Sequence, residues 1–208
     1  MTQHCTEERF LDDIKNHQLT VIRNDQTNRH LKFKKPGTIC YGFDIITWPG
    51  HLCITGDMGT YVFQRVHDMF EFFRTDKPYA DAHPEKSLFI NAGYWGEKLL
   101  SIDKHGGYRE FDEEDFAERV TQHFNEWKES ASPTTEQTKE LWQEITDEVL
   151  SAIDRSGEAA CLSVDNFYHE EFSFTDFFDG GRPECHTFHY LWCLYAIAWA
   201  IIQYDTKP

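Results

Sequence analysis

Four residues near the C-terminus, Cys185, His186, His189 and Cys193, come nearest to a reactive set. Thiolates with imidazoles suit zinc, and on one continuous helix positions 185, 189 and 193 would share a face. The spacing matches no zinc finger or ribbon, however, and Cys193 sits inside the apolar run 191–202, where a cysteine is an inert small hydrophobe. The expectation is no metal and no cofactor. A second set surrounds two turns, Trp48-Pro49-Gly50-His51 and Gly56-Asp57-Met58-Gly59. If these turns meet at one end of a sheet, Trp48, His51, Asp57 and Tyr61 form a small aromatic and polar surface able to take a base or a ring. The competing reading makes Gly56 and Gly59 hairpin residues with positive φ and Asp57 a turn cap.

Catalysis finds little support. An enzyme would have to draw on His51, Asp57, His67, His186 and His189 converging in a cleft. The chain has no G-x-S-x-G, no H-E-x-x-H, no zinc-deaminase signature and neither glycine spacing of a phosphate loop. Asp112, Glu113, Glu114 and Asp115 are adjacent carboxylates, but in a helix's first turn they complement the macrodipole. No catalytic residue is assigned.

Charge is the strongest signal. Residues 101–180 hold 21 Asp and Glu against 6 Lys and Arg, a balance of −15 within a formal −16 for all 208 residues. Such a stretch repels nucleic acid and anionic membrane and attracts basic surfaces. Two helical periods inside it, Phe116/Val120/Phe124/Trp127 and Leu141/Ile145/Val149/Ile153, must turn their apolar stripes inward. Glu113, Glu114, Glu118, Glu136, Glu140, Glu144, Asp147 and Glu148 are thereby sent outward as a candidate partner-binding face. The opposite sign gathers at Arg23, Arg29, His30, Lys32, Lys34 and Lys35, a basic run suited to phosphates, to the chain's own acidic helices, or to those of a second copy in a homodimer.

The elements that hold these residues follow from periodicity. Short β-branched and aromatic runs at 19–22, 30–33, 41–47, 52–55 and 61–63 are divided by turns too short for helical crossovers. They predict an antiparallel β-meander of four to five strands over about residues 19–63, packed against several α-helices in an α+β fold. Helices are expected at 6–16, from Asp68, over the two acidic periods, and at about 158–168; 75–93 reads as loop and 94–102 as a turn of helix. The uncharged segment 187–204 reads as a buried C-terminal helix rather than a membrane anchor. One domain is expected, 1–208, with the sheet in 1–100 and a mainly helical part in 101–208. The N-terminus lacks the basic and apolar regions of a signal peptide, and six scattered cysteines fit reduced thiols in a cytoplasm without a structural disulfide.

Several segments resemble an uncharacterised accessory protein family of tailed bacteriophages and prophages. They are Arg29-His30-Leu31-Lys32-Phe33, Phe43-Asp44 through Thr47-Trp48-Pro49-Gly50, Thr55-Gly56-Asp57-Met58-Gly59-Thr60-Tyr61-Val62-Phe63, Asp68 to Arg74, Gly93 to Leu99, and Trp192 to Asp205. The resemblance covers 29–100 and 188–205 and implies a phage protein acting in the bacterial host cytoplasm. It implies no activity and no catalytic residues. Two function classes follow. One is a non-catalytic interaction protein, an acidic-face inhibitor or DNA mimic on a basic host or defence protein. The other is a small-ligand or nucleotide binder, or enzyme, using the aromatic and His/Asp surface of the meander.

Overall fold

The computed structural model describes residues 4–75, 77–104 and 106–206. The fold is α+β, with a six-stranded antiparallel sheet in meander order and helices around it. The first five strands are β1 (Gln18–Asp25), β2 (Asn28–Lys34), β3 (Phe43–Trp48), β4 (His51–Gly56) and β5 (Gly59–Gln64). A sixth, β6 (Leu99–Ser101), pairs with β5 where a turn of helix is expected from the sequence. Three residues are too few to show a period of two, so this strand leaves no mark in the pattern.

Period-two alternation is clear in β2 to β5, whereas β1 is exposed along nearly its whole length. Leu31 and Phe33, Phe43 and Ile45, Leu52 and Ile54, and Tyr61 and Phe63 all point to one face and are buried. The hairpins are sharp because their residues permit it. Gly50 and Gly59 have φ of +81° and +108°, where a β-carbon is strained. Gly56 answers a different need: a β-carbon there would fall on the Gly42 carbonyl oxygen and 2.7 Å from the Phe43 Cα.

The inner face is covered by α8 (Phe188–Asp205), started by Thr187, whose hydroxyl accepts from the Tyr190 amide. Trp192 is fully buried, 5.7 Å from Phe43 and 5.1 Å from Phe10, which lies on α1 (Glu7–Ile14). Its indole N–H donates to Asp13 at 3.2 Å, supplying the polar partner a buried tryptophan needs. Met69–Phe73 forms α2, capped by Asp68, and the same carboxylate takes both arms of buried Arg29 at 2.8 and 2.7 Å. Segments 75–93, expected as loop, include the short helix α3 (Lys77–Ala82); α4 (Ala92–Gly96) follows. Among the described residues no helix is long and apolar enough to cross a membrane.

The described chain divides into two compact units, where the sequence pattern suggested one domain. Residues 4–109 and 186–206 form a sheet unit, so α8 groups with the meander rather than with the acidic helices. Residues 110–185 form the second unit, with its own core of Phe116, Val120, Leu141, Ile145, Ala160 and Phe177 among others. Strands β7 (Arg109–Phe111) and β8 (Glu184–His186) carry the chain out and back. Between them lie α5 (Glu113–Ala131), α6 (Thr135–Glu148), a 3-10 turn (Leu150–Ala152) and α7 (Gly157–Asn166).

Candidate interaction surface

The second unit carries the whole net charge of the protein. Residues 110–185 contain 21 Asp and Glu against 5 Lys and Arg, −16, while the remainder of the sequence has 15 of each. The boundary of the charge therefore coincides with a boundary of the fold. This unit is acidic as a body.

Its helices explain where the carboxylates point. Asp112 caps α5, accepting from the amides of Glu114 at 3.1 Å and Asp115 at 3.0 Å, and Glu113, Glu114 and Asp115 occupy the electropositive first turn. Phe116, Val120, Phe124 and Trp127 recur on the inner side of α5. Ser132 ends that helix in the left-handed conformation, φ 50°, and Pro133 prevents its continuation. A capping box between Thr134 and Gln137 then starts α6, which buries Leu141 and Ile145. With both stripes turned inward, Glu113, Glu114, Glu118, Glu136, Glu140, Glu144, Asp147 and Glu148 are all exposed.

Two groups form within this surface. On α5, Glu118, Glu126 and Glu129 line one groove with Thr121, Gln122 and Asn125. On α6, Glu136, Glu140, Glu144 and Glu148 follow one another at i, i+4, roughly 6 Å of rise apart. Glu140 and Glu144 share a groove of about 360 Å³ with Tyr168, His169, Glu170 and Glu171. Glu171 accepts from Gln137 at 3.4 Å, and its amide donates to His169 Nδ1 at 3.2 Å. The sequence reading missed Glu126, Glu129, Glu170 and Glu171. The α5 pair shares the spacing logic of the others and was legible; the 170–171 pair lies outside a regular helix, where no period aims a side chain. Three like-charge steps along α6 cost about 0.2–0.5 kcal/mol each. Among the described residues, hydrogen bonding such as Gln143 to Asp147 at 3.0 Å and the exposed Lys139, three residues after Glu136, offset part of this.

The meander surface does not assemble as expected. Trp48 and His51 stack, with ring centroids 4.9 Å apart and planes 10° apart, at the β3–β4 turn. Asp57 belongs to the β4–β5 turn, at the opposite end of β4, because consecutive hairpins of a meander alternate ends. Asp57 accepts from the Tyr41 amide at 2.8 Å and so holds a loop. Tyr61 is fully buried, its hydroxyl donating to the Gly107 carbonyl at 2.8 Å, and burial pushes its phenol up from its ordinary value. The four residues do not form one surface.

The thiol and imidazole set also separates. Cys185 lies on β8, not on the helix that begins at Phe188, so the shared helical face does not exist. His189 is exposed, and Cys193 is buried with its thiol directed to the Met58 carbonyl at 3.5 Å. Burial drives the Cys193 thiol well above its ordinary value and lifts Cys5 to about 12, helped there by Asp13. Among the described residues no three His, Cys, Asp or Glu side chains converge to hold a metal.

The basic run is largely consumed by its own neighbours. Arg29 pairs with Asp68, His30 and Lys32 reach Asp44 at 2.6 and 3.4 Å, and Arg23 reaches Asp25 at 3.1 Å. Fold and surface define an α+β protein with a neutral sheet unit and a strongly acidic helical one. Comparison with known proteins finds no matching family model, no matching curated sequence and no matching solved structure.

Proposed function

We propose that this is a non-catalytic interaction protein whose helical unit occupies a basic site on a partner protein. The observation that carries the reading is the confinement of the entire −16 to one compact unit, with eight carboxylates exposed along two successive helices. A field of that sign steers a basic surface toward it and repels phosphate, so the favoured partner is a protein that itself binds nucleic acid. Carboxylates repeating each turn of α6 then stand in for backbone phosphates. The resemblance of residues 29–100 and 188–205 to phage and prophage accessory proteins supports a partner in the bacterial host, in its defences or in a competing phage. The sheet unit serves as the neutral scaffold.

The experiment is a displacement. A captured partner is loaded with labelled duplex DNA, and the protein is added at low salt. Release of the DNA with a steep loss of potency on adding salt is expected, since exposed charges are screened over roughly 8–10 Å at physiological ionic strength. Stable co-binding of DNA and protein on the same partner would refute the mimic.

A further inference from the structure

The sheet unit contains a cavity of about 280 Å³ between the end of α2, α3, the 83–89 segment and the last turns of α8. Its floor is apolar, built from Phe73, Phe89, Ala198 and Ile201, and Tyr79 closes one side with its ring 4.1 Å from that of Phe89. The walls are fixed. Glu7 accepts from the amides of Ser87 at 2.9 Å and Leu88 at 3.2 Å, and also from the Ser87 hydroxyl. Arg74 grips Asp205 with two bonds of 2.9 Å, tying α2 to α8. His83 stacks on Tyr79 at 4.2 Å and uses Nδ1–H to donate to the Tyr79 carbonyl at 3.0 Å, which leaves Nε2 for another group.

Among the described residues of the lining the charges are Arg74 and Lys86 against Asp205. Arg74 is already matched by Asp205, whereas Lys86 forms no ion pair among the described residues. We propose that this cavity binds a small amphipathic carboxylate. A single ring or short branched chain lies on Phe73, Tyr79, Phe89 and Ile201, and the carboxylate meets Lys86 beside Arg74. Pockets for drug-sized molecules run from roughly 300 Å³ upward, so the volume admits one ring with a short acidic arm and little more. Apolar burial supplies affinity and the unmatched ammonium supplies orientation.

The test titrates the full chain with 3-phenylpropionate, 3-phenylpropanol and 2-phenylethylamine by NMR at low salt. The acid should bind, with the alcohol about tenfold weaker and the amine weaker still, a tenfold step being ~1.4 kcal/mol. Lys86→Glu and Ile202→Glu both alter exposed rim positions, and each should weaken the acid about tenfold or more while the far-UV spectrum and Tm hold. Absence of binding by the acid, equal binding of acid and alcohol, or retention of affinity in both variants overturns the proposal.

Discussion

Reversing one charge in the middle of the α6 row, Glu140→Lys, should make the protein more stable and a poorer binder. Glu140 has Glu136 one turn before it and Glu144 one turn after, all three exposed. Each like-charge pair at this spacing costs about 0.2–0.5 kcal/mol, and an opposite-charge pair returns a similar amount. The reversal removes two repulsions and creates two attractions, so the low-salt gain comes to ~1–2 kcal/mol. Glu170 and Glu171, across the groove from Glu140, reinforce the sign. Glu140→Gln should yield about half, because it removes repulsion without adding attraction. Urea unfolding followed by far-UV CD reads the difference at low salt and again at ~1 M salt, where the screening length falls to about 3 Å. The gain should largely vanish there. A destabilised variant, or a gain untouched by salt, would refute the claim that the row is held together against its own charge.

Three further outcomes are expected. Trp192→Ala, which empties a site packed by Phe10, Tyr41 and Phe43, should cost about 3–5 kcal/mol in chemical denaturation. Trp192→Phe should cost less, since Asp13 keeps its pair with Arg9. Ala200→Asp places an unpaired carboxylate at a fully buried position of α8 and should cost several kcal/mol, whereas Ala198→Asp, which borders the cavity, should be milder by thermal melts. His17 donates Nε2–H to the Tyr41 carbonyl at 3.0 Å while Nδ1 is buried without a partner among the described residues, and burial holds its pKa below the ordinary value. The unfolded chain therefore takes up the proton first as pH falls. Its contribution to stability is complete above about pH 6.5 and is lost below it, so Tm should drop between neutral and mildly acid pH, less so in His17→Gln.

The sheet was legible because its chemistry is local. Alternation in Leu31-Lys32-Phe33-Lys34 and glycines at the turns fix strands one hairpin at a time, and β2 to β5 lie within a few residues of the expected runs. The start of α2 at Asp68 was legible for the same reason. What failed required three-dimensional information. The turns at 48–51 and 56–59 are neighbours in sequence but sit at opposite ends of a strand. Cys185 precedes the helix because Gly180-Gly181-Arg182-Pro183 is followed by a strand, not directly by α8. The apolar period through Val149 and Ile153 outlasts α6, which stops at Glu148 and tightens into a 3-10 turn. The separation of α8 from the acidic helices depends on which core Trp192 and Ile197 join, a matter of packing across 180 residues that no local pattern encodes.

The most direct measurement of the central claim is a pull-down from bacterial lysate with the wild-type chain and with the fourfold variant Glu136→Lys, Glu140→Lys, Glu144→Lys, Glu148→Lys. Both are run at low and high salt, with retained protein and retained duplex DNA quantified together. The account predicts a partner held by the wild type at low salt, lost at high salt, lost from the variant at either salt, and no duplex DNA on the wild type. A partner that survives the fourfold reversal, or tight retention of duplex DNA by the wild-type chain, would contradict it.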